Sequence, residues 1–160
     1  MINNISGHIL LCDDYDEKEI SIKHIFDNLY VDNNMTANFA TILHINIYPN
    51  ETGISHSRYH IYSFIKETKG IGEDANFMYL GQLNLPAKGE NDKQDISVYR
   101  HRQIFRFNNF IFPNTGKYAI DMYATTERLS YRTNEELYMK LFQNNCLLDT
   151  LTFNVQIKAH

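Results

Sequence analysis

The stretch FPNTGKYAIDMY, residues 112–123, decides how the rest of the chain is read. Pro113 and the run Asn114-Thr115-Gly116 are turn formers, and Gly116 admits backbone angles closed to other residues. From Lys117 the pattern alternates. Tyr118, Ile120 and Met122 fall on one face of a strand spanning residues 117–125 (KYAIDMYAT), because successive strand side chains point to opposite faces. A Gly two residues before a Tyr at a strand entry is the arrangement of a tyrosine corner. There the ring fills the edge of a core and the hydroxyl caps an upstream backbone group. Where such corners carry a disulfide, a Cys stands two residues after the Tyr. Here Ile120 supplies apolar volume instead. The motif concerns packing, and it names no reaction.

Working outward, period two holds nearly throughout. Alternating or apolar runs occupy residues 8–13, 19–26, 39–48, 58–66, 76–85 and 97–107. They are rich in Ile, Tyr and Phe and are separated by turn residues. In 58–66, Tyr59, Ile61 and Ile65 oppose His60, Tyr62 and Phe64. In 97–107, Phe105 and Phe107 oppose Arg100, Arg102 and Arg106. NNFIFPNTG reads as a turn-rich crossing, and residues 27–38 as a strand end plus loop. Residues 137–143 (LYMKLFQ) and 147–157 (LLDTLTFNVQI) flank Asn144-Asn145, a hairpin signal. The final strand is expected to face inward with Leu147, Leu151, Phe153, Val155 and Ile157. Helix is expected only as a turn within 126–137, after Thr133 or Asn134 as N-cap, since no segment sustains a 3.6-residue period. Residues 69–76 and 86–95 read as long polar loops.

Roughly eight or nine short strands without long intervening helices imply an all-β fold: an antiparallel two-sheet sandwich, immunoglobulin-like or a related Greek key. The 160 residues suit a single domain, which at this size buries roughly 70% of the unfolded chain's surface. A formal charge of −4 gives no general attraction to nucleic acid or anionic membranes. No run approaches the ~20 apolar residues of a membrane span, and the start MINNISGHILLCDDYD lacks the form of a secretory signal. A cytoplasmic setting is the expectation. The sequons at Asn4, Asn34 and Asn50 then have no consequence, and Cys12 and Cys146 are expected to be separate buried thiols. Richness in Asn, Ile, Lys and Tyr fits an AT-rich bacterial, phage or plasmid gene.

RHRQIFRFNNFIFPNTGKYAIDMY (101–123 with Arg100), together with LLCDDYDEKEISIKHIFDNLYV near the start and LLDTLTFNV near the end, resembles a family of small uncharacterised bacterial β-sandwich proteins. The likeness covers roughly residues 9–157 and departs from the family pattern in a longer segment at 126–136. It implies a sandwich fold and a soluble bacterial protein, and it carries over no catalytic residue and no ligand.

Chemistry-bearing patterns are sparse. Asp13, Asp14, Asp16 and Glu17 would suit a hard cation, but lack the spacing of a calcium loop and read as a solvated turn. The seven histidines, His8, His24, His44, His56, His60, His101 and His160, include no His-x-His pair, and no Cys-x-x-Cys accompanies them. Neither metal nor cofactor is expected. No nucleophile elbow is present, and Gly70-Ile71-Gly72 lacks the helix of a phosphate loop. Arg100, Arg102 and Arg106, with Lys117 nearby and Tyr123 as a stacking surface, form the main charge feature. They mark a candidate partner-binding face, set against the plainer reading of a solvated strand. Tyr48, Tyr62, Tyr123 and Tyr138 lie opposite the best apolar faces, as aromatic interfaces do. The leading reading is a non-enzymatic binding or assembly protein with another protein as partner, and homo-oligomerisation stays open. The competitors are a carbohydrate- or nucleotide-binding sandwich with a tyrosine-lined pocket, and an enzyme or metal-dependent domain with an unrecognised site.

Overall fold

The computed structural model describes residues 4–16, 18, 21–25, 27–51, 56–68, 77–86 and 97–159. The alternating runs form β1 (Ile5–Asp16), β2 (Ser21–Ile25), β3 (Asn28–Val31), β4 (Thr36–Ile47), β5 (Tyr59–Glu67), β6 (Phe77–Leu85), β7 (Tyr99–Ile111), β8 (Gly116–Thr125) and β9 (Leu147–Ile157), with α1 (Asn134–Gln143) between β8 and β9. They make two sheets, one ordered β2-β1-β4-β7 and the other β3-β9-β8-β5-β6. The main core lies between them. Ile9 of β1, Leu43 and Ile45 of β4, Ile61 of β5, Ile120 of β8 and Val155 of β9 all belong to it. Gly7 permits a close approach of the sheets, since a Cβ there would press into Met122 and Leu148. On one side the sheets are also tied by Asp149, whose carboxylate accepts the Ile9 N–H at 2.9 Å.

The opening stretch forms the corner its residues describe. Tyr118 is buried, and its hydroxyl donates to the Asn114 carbonyl at 2.7 Å while accepting the Asn114 N–H at 3.3 Å. Its ring meets Phe112 edge-on and stacks on Phe153. Ile120, in the place of a disulfide cysteine, is fully buried.

Four expectations are corrected. Residues 137–143 are not a strand: they form most of α1. The Thr133 side chain accepts the Glu136 N–H at 3.1 Å, and Glu136 accepts the Arg132 N–H at 2.9 Å, which satisfies donors that a helix start leaves open. Asn144-Asn145 is accordingly a helix end and not a hairpin. Asn145 adopts φ 53, its N–H reaches the Phe142 carbonyl, and the Cys146 N–H reaches that of Leu141, the paired closure of a left-handed cap. The second correction is that the sheets are not purely antiparallel, since β3 runs parallel to β9. Third, NNFI (108–111) belongs to β7, where a register shift between Ala37 and Phe39 and a bond from the Asn109 N–H to the Asn38 side chain at 2.7 Å carry the strand through the asparagines. Fourth, Leu147 and Ile157 are exposed. An irregularity between β8 and β9 at Met122/Tyr123 brings Leu148 to the core instead.

Cys12 and Cys146 are both buried, and neither is in a disulfide. Cys12 packs with Ala40 and Ile42 on the outer face of the four-stranded sheet, whereas Cys146 packs beneath α1 on the far side of the five-stranded sheet. Both sheets separate the thiols. Residues 69–76 and 87–95, expected as loops, lie outside the described residues. Among the described residues no helix is long and apolar enough to cross a membrane.

Two substitutions test the packing. Tyr118→Phe leaves the ring and removes the cap, so it should cost about 0.5–1.5 kcal/mol, whereas Tyr118→Ala should cost roughly 3–5 kcal/mol through the cavity it opens. Both are read from denaturant midpoints, and equal, negligible effects would contradict the corner. Thr41 faces the core with its hydroxyl unpaired among the described residues. Thr41→Val should therefore raise the midpoint, by about 1 kcal/mol, and a loss of stability would reveal a partner for that oxygen.

Candidate functional site

Strand β7 is the edge of the four-stranded sheet. Arg100, Arg102 and Arg106 pair in register with Asn46, His44 and Ala40 of β4, so their side chains share the outer face of that sheet, and all three are exposed. The row Arg102–His44–His8 runs across three strands. Burial, and then the charges of Arg102 and His8, hold His44 below the ordinary imidazole range. Beside the arginines, Ile42 packs with Leu10 and Ile104.

The two other residues grouped with this row do not join it. Lys117 is exposed, but it lies on β8 in the other sheet. Tyr123 is buried at 2% exposure and offers no stacking surface. Tyr62 is buried as well, Tyr138 is half-buried, and of the four outward-reading tyrosines Tyr48 alone is exposed. The five-stranded sheet explains this, because its outer face is covered. Tyr62, Phe64 and Tyr123 pack there with Leu137 and Leu141 of α1 and with Cys146.

A buried polar cluster fixes that cover. Asp121, at 2% exposure, points to the outer face from the middle of β8. It lies 2.9 Å from the Lys66 ammonium and accepts from the hydroxyls of Thr150 at 2.6 Å and Tyr123 at 3.2 Å. Lys66 also donates to the Tyr138 hydroxyl at 3.0 Å, joining α1 to the sheet. The Tyr138 ring stacks on Phe77 and meets Phe64 and Tyr123 edge-on. Burial alone would lower the Lys66 ammonium, but hydrogen bonds to Tyr138 and Asp121 and the Asp121 charge raise it on balance. Burial first, then the Asp121 charge, pushes Tyr123 far above the ordinary phenol range.

Beyond the reach of α1, the same face opens into a cleft of about 570 Å³ lined by Tyr62, Gln82, Arg128, Leu129, Ser130 and Tyr131. Strands β5 and β6 form its floor. Gly81, at φ 153, sits in an irregularity of their pairing. That shift lets Gln82 and Asn84 share a face with Phe77 and Tyr79, which strict alternation would forbid. Gln82 donates to Asn84 at 3.0 Å, and His60 lies 2.7 Å from the same Asn84 oxygen. Segment 126–133 is the wall. The reading of the sequence missed Gln82, Arg128, Ser130 and Tyr131. Their signal was the longer segment at 126–136, together with Tyr62 on an outward-reading face.

Among the described residues the other candidates assemble no site. Asp13 is exposed, while the side chains of Asp14, Asp16 and Glu17, and the Gly70-Ile71-Gly72 loop, lie outside the described residues. Among the described residues, no three of His, Cys, Asp or Glu gather closely enough to hold a metal. A smaller apolar hollow of about 280 Å³ runs between Phe77 and Met78 on one side and Phe110, Ile111 and Pro113 on the other. Compared with protein-family models the chain matches none, and comparison with curated proteins likewise finds no match.

The covered tyrosine face is expected to set the alkaline limit of stability. Lys66 and Tyr123 both hold their protons more tightly folded than unfolded, so their contribution is complete below the unfolded values near pH 10 and is lost as pH rises beyond them. Thermal stability should stay level from about pH 7 to 9 and fall cooperatively above about pH 10, together with the appearance of tyrosinate absorbance. Tyr123→Phe should make that alkaline fall shallower. Gradual tyrosine ionisation without unfolding would contradict the burial of these phenols.

Proposed function

We propose that the chain is a non-enzymatic binding protein that engages an acidic protein partner through the arginine row of β7. The observation that carries this reading is the placement of Arg100, Arg102 and Arg106 together, exposed, on one face of an edge strand. Exposed charges add little to folding, whereas guanidinium forks facing carboxylates give strong and geometrically specific contacts. Edge pairing of β7 with the β7 of a second copy would continue the same sheet face and bring the two arginine rows together, which argues for a different partner. A bacterial cytoplasmic setting, an immunoglobulin-like or related Greek-key topology and kinship with the uncharacterised bacterial sandwich family belong to the same proposal. The tyrosine-lined cleft, on the opposite face of the molecule, favours a second, small-ligand reading.

Polyglutamate serves as a defined probe. The wild type should bind it with an affinity that falls as salt rises, and Arg100→Glu/Arg102→Glu/Arg106→Glu should weaken binding more than about tenfold, as loss of charge-assisted contacts implies, with the melting temperature nearly unchanged. A variant of lower stability that binds equally well per folded molecule would instead show the arginines serving the fold.

A further inference from the structure

We infer that the cleft between β5–β6 and segment 126–133 is a binding site for a small anionic sugar, a ring rich in hydroxyls that bears one carboxylate or phosphate. The inference is independent of the arginine row, which lies on the other sheet.

The cleft is held open by built walls. The Tyr62 hydroxyl faces the Leu129 backbone, and the Tyr79 hydroxyl faces the Tyr131 side chain. The Lys140 ammonium donates to the Ser130 carbonyl, and Glu136 holds the Arg132 N–H. Residues 130 and 132 are thus tethered to α1, and 129 and 131 lie against tyrosines of the sheet. A site whose walls are fixed before the ligand arrives avoids much of the ordering cost of binding. Its volume of about 570 Å³ lies within the range of small-molecule sites.

The lining specifies the ligand class. Arg128 is exposed and makes no ion pair with a described residue, so its planar fork is available for a carboxylate or phosphate. The Gln82 amide nitrogen is engaged by Asn84 and by His60 at 3.3 Å, which leaves its oxygen to accept from a ligand hydroxyl. The Ser130 hydroxyl both donates and accepts. Tyr131 supplies aromatic surface, the buried Tyr62 closes the floor beneath it, and Leu129 is the one aliphatic side chain in the lining. A lipid tail or an unsubstituted apolar ring would strand these polar groups, at the cost of unmade hydrogen bonds. A ring carrying several hydroxyls and a single anion satisfies them.

The test is amide chemical-shift titration of the folded chain with glucuronate, glucose 6-phosphate, glucose and inorganic phosphate at millimolar concentration. Saturable shifts clustered at Gln82 and Arg128–Tyr131 with glucuronate, glucose 6-phosphate or both are expected, and the stronger of the two identifies carboxylate or phosphate as the favoured anion. Arg128→Gln should weaken that binding about tenfold or more, as loss of a bidentate charged contact implies, with the melting temperature unchanged. Ser130→Trp, which fills the cleft from an exposed position, should abolish it. Glucose binding as tightly as the charged sugars, or inorganic phosphate reproducing the full effect, would overturn the assignment. So would the absence of clustered shifts with every probe, or binding indifferent to both substitutions in folded protein.

Discussion

A carboxylate buried in the middle of a sheet is the constraint on which the rest of this molecule depends. Asp121 sits on β8, whose residues from Tyr118 to Ala124 are all buried. Moving a charge out of water costs several kcal/mol unless partners compensate it. The compensation here is specific: one ammonium and two hydroxyls, from three different strands. Lys66 then hands a further bond to Tyr138, so satisfying Asp121 also docks α1. The helix buries the outer face of the five-stranded sheet and turns a two-layer packing into three layers over that half of the molecule. Aromatic residues suit this second core because they combine large apolar area with a polar handle, and Tyr62, Tyr79, Tyr123 and Tyr138 each use the handle.

The two outer faces consequently differ in character. On the five-stranded sheet the helix and its leading segment leave a walled cleft where their cover stops. On the four-stranded sheet, the β7 face exposes three arginines. A flat charged strip and a tethered concavity call for different ligands, a complementary macromolecular surface for the first and a small polar molecule for the second. They share little structure, so loss of one should spare the other.

Much of the fold was legible in the sequence because strands announce themselves by alternation. The faces of 58–66 and 97–107 were read correctly, and the Tyr118 corner followed from a Gly, a Tyr and a turn. The helix was obscured because LYMKLFQ satisfies two periods at once. Leu137, Met139 and Leu141 alternate, while Leu137 with Leu141 and Tyr138 with Phe142 recur every four residues. Thr133 followed by Glu136 was the deciding signal, since that spacing closes a helix start. Tyr123 was misplaced for a different reason. Alternation tells which face a side chain takes, and not whether another element covers that face. The irregularities at Gly81 and at Met122/Tyr123 were also hidden, as each changes strand parity without a distinct local pattern. Arg128 and its neighbours could not be grouped with Gln82, because only the docking of α1 brings segment 126–133 over β6.

Native-state amide hydrogen exchange of Asp121→Asn tests the dependence on the buried carboxylate most directly. The substitution keeps the side chain's size and removes its charge. Amides of α1 and of residues 129–131 should lose most of their protection, while those of β4, whose pairing and packing involve neither Asp121 nor α1, should keep theirs. Uniform loss of protection across both sheets, or protection of α1 unchanged from the wild type, would contradict the account.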